Sequence, residues 1–228
     1  MPETTSKKLV WDQVGEKFYE TGVDRGVLFP MAGNAYGEGE AWNGLMSVDE
    51  QPSGAEPTPL YANNRKYLEL MSVEEFAMTI GAYTFPKGFY ACLGKKELAP
   101  GVYVSQQNHA PFGFSYRTLI GNDTEKNTHG YKIHLVYGAT AKPSEKGNKT
   151  VNESPEAAEM SWECSTTAVD IPGCEPAAHI EIDSTTVSAD ILKSIENILY
   201  GTETTPSKLI MPDELAQLLS GSSEPEGE

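Results

Sequence analysis

Phe114–Gly138 reads FSYRTLIGNDTEKNTHGYKIHLVYG, and its patterning decides the fold class. Phe114 and Tyr116, with Phe112 just before them, fall on one face of a first strand. Tyr131, Ile133, Leu135 and Tyr137 share a face of a second strand, with Lys132 and His134 opposite. Alternation with a period of two predicts strands with one buried face. The polar run Gly121–Gly130 between them is too long for a two-residue turn and reads as a loop. The expectation is a β-built protein.

Outward from that pair, further strands are predicted over Lys17–Pro30, Tyr67–Met71, Ala77–Phe85, Val102–Gln107, Lys149–Asn152, Glu159–Thr166 and Ala178–Asp183. Phe112–Ile120 and Tyr131–Ala139 bound the central pair. Pro155 interrupts the 149–166 stretch, and because proline cannot donate to a ladder that pair is expected at an edge or bulge. Pro86–Leu98 reads as short and helix-like. Ser188–Tyr200 is the clear helix: Ile191, Leu192, Ile195, Ile198 and Leu199 line one face, Ser188 is placed to cap it and Gly201 to stop it. A second short helix is expected over Asp213–Leu219. The fold class expected is mainly β: a β-sandwich or small barrel with one flanking α-helix.

Residues 1–13 read as a polar N-terminal arm with Trp11 as an anchor, residues 14–219 as one β domain and residues 220–228, ending GSSEPEGE, as a disordered acidic tail. Inside the domain, Met31–Asn64 is dense in Gly and Pro and holds Tyr36, Trp42, Leu45 and Tyr61. A loop of that length is normally functional or disordered, and disordered linkers seldom carry such aromatics. It reads as a loop or extended hairpin that becomes ordered against a partner.

The 228 residues carry 17 basic and 33 acidic side chains, a net charge of −16. From Val151 onward, 16 acidic residues face only Lys193 and Lys208. Such a balance reads as an ordinary solubilising acidic surface or, more sharply, as a surface that repels nucleic acid; tight phosphate binding needs clustered Lys and Arg, and no such cluster stands in the sequence. No apolar leader or membrane-length run appears, so a cytoplasmic site of synthesis is expected. Cys92, Cys164 and Cys174 show no paired spacing and read as buried free thiols, a Cys164–Cys174 bridge being the minority alternative.

Catalytic signatures are missing. His129 and His134 fall on opposite faces of a strand and cannot share a metal; no cysteine pair has zinc spacing. Gly37-Glu38-Gly39-Glu40 lacks the third glycine of a dinucleotide fingerprint, and no phosphate loop or nucleophile elbow is present. Asn122-Asp123-Thr124-Glu125 lacks the spacing of a calcium loop. Neither catalysis, a cofactor nor a metal is expected.

Several blocks in order carry a resemblance: AWNGLMSVDEQPSGAEPTPLYANNRKYLEL, EEFAMTIGAYTFPKGF, ELAPGV, FSYRTLIGNDTEKNTHGYKIHLVYGATAKPSEK, SWECSTTAV and ILKSIENILYG. Together, over roughly Val10 to Leu219, they resemble the major tail protein, or tail tube protein, of long non-contractile tailed bacteriophages. That resemblance implies six copies closing into a ring whose inner sheets form a continuous barrel. The rings stack into a virion tail tube that conducts the genome during ejection, assembled in the host bacterial cytoplasm. It implies the tape measure protein, the tail terminator and distal tail proteins as partners, and viral double-stranded DNA that passes without specific binding. Trp11, Tyr36, Trp42, Leu45 and Tyr61 are then candidates for contact between subunits, with the Gly121–Gly130 loop as a second contact between rings. Glu153, Glu156 and Glu159 are candidates for the channel wall. The alternative is a sugar- or receptor-binding β-sandwich of a phage adsorption device, with Trp42 and Tyr36 as its aromatic platform.

Overall fold

Two long antiparallel strands, β10 (Phe112–Asn122) and β11 (Lys126–Ala141), form the centre of the fold. The computed structural model describes residues 8–150 and 157–221. The chain is mainly β, built on one large antiparallel sheet with few helices. The strand turn is much tighter than the expected Gly121–Gly130 loop: Asn122 faces Lys126 across the ladder, leaving 123–125 to reverse the chain. Asn122 Oδ1 accepts the Thr124 and Glu125 amides (3.1 and 2.5 Å), and Lys126 takes a left-handed φ of 54°. This is a short turn closed by an Asx cap and a bulge, so the polar residues after it remain in the strand.

β1 (Tyr19–Ala32) pairs with β10 and bears the short strands β2 (Ala35–Tyr36) and β3 (Glu40–Ala41). On the other side β11 pairs twice. Its middle, Lys132–Val136, meets β13 (His179–Asp183), and its end, Thr140 and Ala141, meets β12 (Met160–Ser165). The strand changes neighbours at Gly138, which has φ 58°; a Cβ there would stand 2.6 Å from the Thr167 carbonyl oxygen. Only glycine combines that backbone with that approach. Beyond β12 lie β7 (Ala77–Ala82) and β4 (Leu45–Glu50). β12 therefore has neighbours on both sides rather than an edge; Pro155, outside the described residues, precedes the strand and costs it no ladder bond.

Both faces of the central strands are buried, against the expectation of one. Phe112, Phe114, Tyr116 and Val136 pack with Met78, Ile80, Trp162 and Phe89 in one core. Ile133, Leu135 and Tyr137 face the other way and form a second core with Val27, Phe29, Ile195, Leu199, Ile210 and Leu215. The second cover comes from α2 (Ala189–Tyr200) and α3 (Pro212–Gly221), so two helices flank the sheet rather than one. Ser188 stands at the α2 N-cap in extended conformation, without a side-chain cap bond, and Gly201 ends the helix. Tyr137 Oη donates to the Ile210 carbonyl (2.8 Å) and Tyr131 Oη to Glu196 (3.0 Å), fixing the helical layer to β11.

Cys92 and Cys164 are buried free thiols, but Cys174 is exposed and free, on the bend after Ile171, where its amide donates to the Ile171 carbonyl (3.1 Å). Burial pushes the Cys92 and Cys164 thiols up to about 12. No helix among the described residues is long and apolar enough to cross a membrane.

Candidate functional site: an exposed assembly surface

Exposed apolar side chains gather on three segments. The first is the N-terminal arm, with Leu9, Val10, Trp11, Val14 and Phe18 exposed. The arm leads to Gly15. There its amide donates to Asp123 Oδ1 (3.0 Å) and Asn122 Nδ2 donates to its carbonyl (3.2 Å), pinning the chain to the β10–β11 turn. That turn thus holds the root of the arm.

The second segment is a hairpin of β5 (Pro57–Ala62) and β6 (Arg65–Met71). Its turn residues Asn63 and Asn64 both have left-handed φ, 52° and 60°, the conformation of a type I′ turn that matches strand twist. Every residue of both strands is exposed. Leu60 faces Leu68 and Thr58 faces Leu70, so leucines line one side. Tyr61, Tyr67, Met71 and Val73 are each about 70–80% exposed. The hairpin grows directly out of the β4–β7 pair through the Ser53–Glu75 bridge, where each amide donates to the other carbonyl (2.9 and 2.7 Å). Pro57 and Pro59 remove two donors from β5, as is usual for an edge that must not recruit another strand.

The third segment is the small hairpin of β8 (Lys96–Ala99) and β9 (Val102–Val104), which exposes Leu98, Val102 and Val104. It follows the single helical turn α1 (Phe89–Cys92).

The candidate contact residues divide sharply. Trp11 and Tyr61 are exposed, at 75% and 72%. Trp42 is not: it is 4% exposed, tilted against Phe89, Phe114 and Trp162 with ring centres 4.6, 5.4 and 5.8 Å away, and its Nε1 donates to the Thr84 carbonyl (2.8 Å). Leu45 packs against the same core. Tyr36 is half-buried and its Oη accepts the Gly138 amide (2.8 Å). These three belong to the interior because Met31–Asn64 is not one loop. It holds β2, β3, β4 and all of β5, and the first three return to the main sheet. The aromatic platform of Trp42 and Tyr36 is therefore not on the surface. Glu159 is exposed, while Glu153 and Glu156 lie outside the described residues.

Tyr67, Leu68, Leu70, Met71 and Val73 escaped the sequence reading as surface residues. The Asn63-Asn64 pair between two alternating runs was the signal that marks them as one arm of a hairpin. No protein family and no curated protein matches the chain.

Proposed function

We propose that this chain is a structural subunit, a phage tail tube protein whose copies close into hexameric rings and stack into a conduit for the genome. One observation carries the reading. An isolated two-stranded hairpin is marginal in water, yet β5–β6 stands with every residue exposed and leucines along one side. Such an element gains its stability from a surface outside its own subunit. At about 3.3 Å per residue, the stretch from Glu50 to the Asn63 turn spans at most roughly 40 Å, enough to reach a neighbouring copy. The leucine face is the docking side, since two prolines blunt strand addition along β5. The arm, with Leu9, Val10 and Trp11, is a second contact.

The sandwich and barrel character expected from the resemblance fits a sheet whose β4–β7–β12 part packs over β10–β11, with free edges joining between copies. The net charge of −16 suits a channel that DNA slides through without gripping. In this reading Glu159, with Glu153 and Glu156, contributes to the wall; a density map of a stacked ring with a neutral or basic wall at Glu159 would remove that assignment.

Negative-stain microscopy of the concentrated protein tests the main proposal. Rings or tubes are expected. The double variant Leu68→Lys/Leu70→Lys is expected to lose stacking while keeping the wild-type Tm, because neither side chain touches a core. A wild-type chain that stays monomeric, alone and with the tape measure protein, overturns the reading.

A further inference from the structure

Where β4, β10, β11 and β13 meet, Glu50, His134 and His179 converge: one nitrogen or oxygen of each lies within 4.8 Å of the others. His134 Nδ1 is 3.1 Å from His179 Nε2 and 3.5 Å from Glu50 Oε1. We propose that these three side chains form a divalent transition-metal site, with Zn²⁺ as the fitting ion and a solvent oxygen as the fourth ligand on the exposed Glu50 side. The proposal does not depend on the tail-tube reading.

The ligand set of two imidazoles and one carboxylate is one that Zn²⁺ takes in open sites. Bonds of about 2.0–2.1 Å at tetrahedral angles place ligand atoms roughly 3.3 Å apart, which the two short separations bracket. The tautomer of His134 also fits. Thr118 Oγ1 donates to Glu20 Oε1 (2.6 Å), so toward His134 Nε2, 3.0 Å away, it acts as acceptor. Nε2 therefore carries the ring proton and Nδ1 presents a lone pair to Glu50 and His179. A carboxylate-backed hydrogen bond on the far nitrogen is the usual support of a metal-binding histidine. Tyr116 Oη donates to Glu50 Oε1 (2.6 Å) and orients that carboxylate in turn. The surroundings favour a cation: Glu20, Glu50 and Glu181 stand together, and among the described residues the lysine that pairs with them is Lys132, on Glu20 and Glu181 (both 2.9 Å).

In the metal-free arrangement the two imidazoles are coplanar, with ring centres 5.3 Å apart, so the 3.1 Å contact runs nearly along the line joining them. That is an N–H···N hydrogen bond from His179 to His134. Metal uptake moves the His179 ring proton from Nε2 through solvent to Nδ1, leaving the Nε2 lone pair for the ion, and tilts a ring. His179 is the ring that moves: it is only half-buried, at the first residue of β13, and it slides over Phe76, on which it is stacked at 4.5 Å.

The test uses the full, untagged chain after chelator treatment, titrated with Zn²⁺ against a competing chromogenic chelator, and with Co²⁺ for its visible spectrum. One Zn²⁺ per chain and a tetrahedral Co²⁺ spectrum lacking a thiolate band are expected. Glu50→Gln keeps an acceptor for Tyr116 on an exposed side chain, so it stays folded and is expected to weaken binding at least tenfold. Thr118→Val is expected to weaken it by about 10–100-fold. His129→Gln and Cys174→Ser, at the other surface donors, are expected to leave it unchanged. Absence of stoichiometric binding, or an affinity unmoved by Glu50→Gln, overturns the proposal.

Discussion

Replacing Trp42 by alanine separates a core residue from an interface residue. A tryptophan side chain buries about 150–250 Å², and at ~25 cal/mol per Å² its removal from a site only 4% exposed forfeits roughly 4–6 kcal/mol of burial, part of which alanine retains. The three tilted aromatic contacts add to that loss, and the cavity left among Phe89, Phe114 and Trp162 is lined by rings too large to collapse into it. The Nε1 bond to Thr84 counts for less, because Thr84 is exposed and water can replace the donor. The net expectation is a loss of about 4 kcal/mol, within the usual range for a buried aromatic. For a chain of this size that is roughly 8–16 °C in Tm, and more than 1 M in the urea midpoint. Urea denaturation of dilute, unassembled protein is the assay, with Tyr61→Ala as the control expected within about 0.5 kcal/mol of wild type. A loss below ~1 kcal/mol for Trp42→Ala would refute the placement of Trp42 in the core.

Ser115 is 1% exposed and its hydroxyl has no hydrogen-bond partner among the described residues, so Ser115→Ala is expected to raise stability by about 1 kcal/mol, read as a higher urea midpoint. Gly138→Ala is expected to lower stability by at least ~2 kcal/mol, from the positive φ and the clash with the Thr167 carbonyl; equal stability would show that β11 does not bend there. A thiol reagent near pH 8 is expected to label one cysteine per native chain, Cys174, and all three in denaturant. The same burial sets a pH trend. Cys92 and Cys164 keep their protons to about 12 when folded, against about 9 when unfolded, so the unfolded chain holds fewer protons between those values. Their contribution is complete below about pH 9 and declines as the pH rises toward 12; Cys92→Ala/Cys164→Ala should flatten that part of the stability profile.

The central strands were legible because Phe112, Phe114 and Tyr116 alternate cleanly, and α2 because its apolar residues keep helical spacing. What alternation hides is the state of the opposite face. His134 looks like a solvated residue in sequence; it is buried because Thr118 and His179 satisfy both its nitrogens, and those partners are distant in the chain or on another strand. Burial also holds both imidazoles below their ordinary pKa, His134 with added repulsion from His179, so the pair is neutral where a surface histidine would begin to charge. The same limit applies to Trp42 and Tyr61. Both sit in a Gly- and Pro-rich stretch, and the pairing of β3 with β1, continued by the Trp42 amide on the Gly26 carbonyl, tells the interior residue from the exposed one. The exposed arm residues were partly legible, since Trp11 stood out in a polar segment, whereas Leu9 and Val10 carried no signal of their own.

The β5–β6 hairpin is joined to the body only through 51–56 and 72–76. Its length is therefore free to vary without repacking either core. Strand geometry still quantises that freedom. One extra residue on each strand turns the side of Leu60, Leu68 and Leu70 to its opposite, while two on each restore it and advance the tip by about 6.6 Å. Descendants of this chain would be expected to change the reach of the hairpin in paired steps, like the teeth of a ratchet, with the leucines always returning to one side.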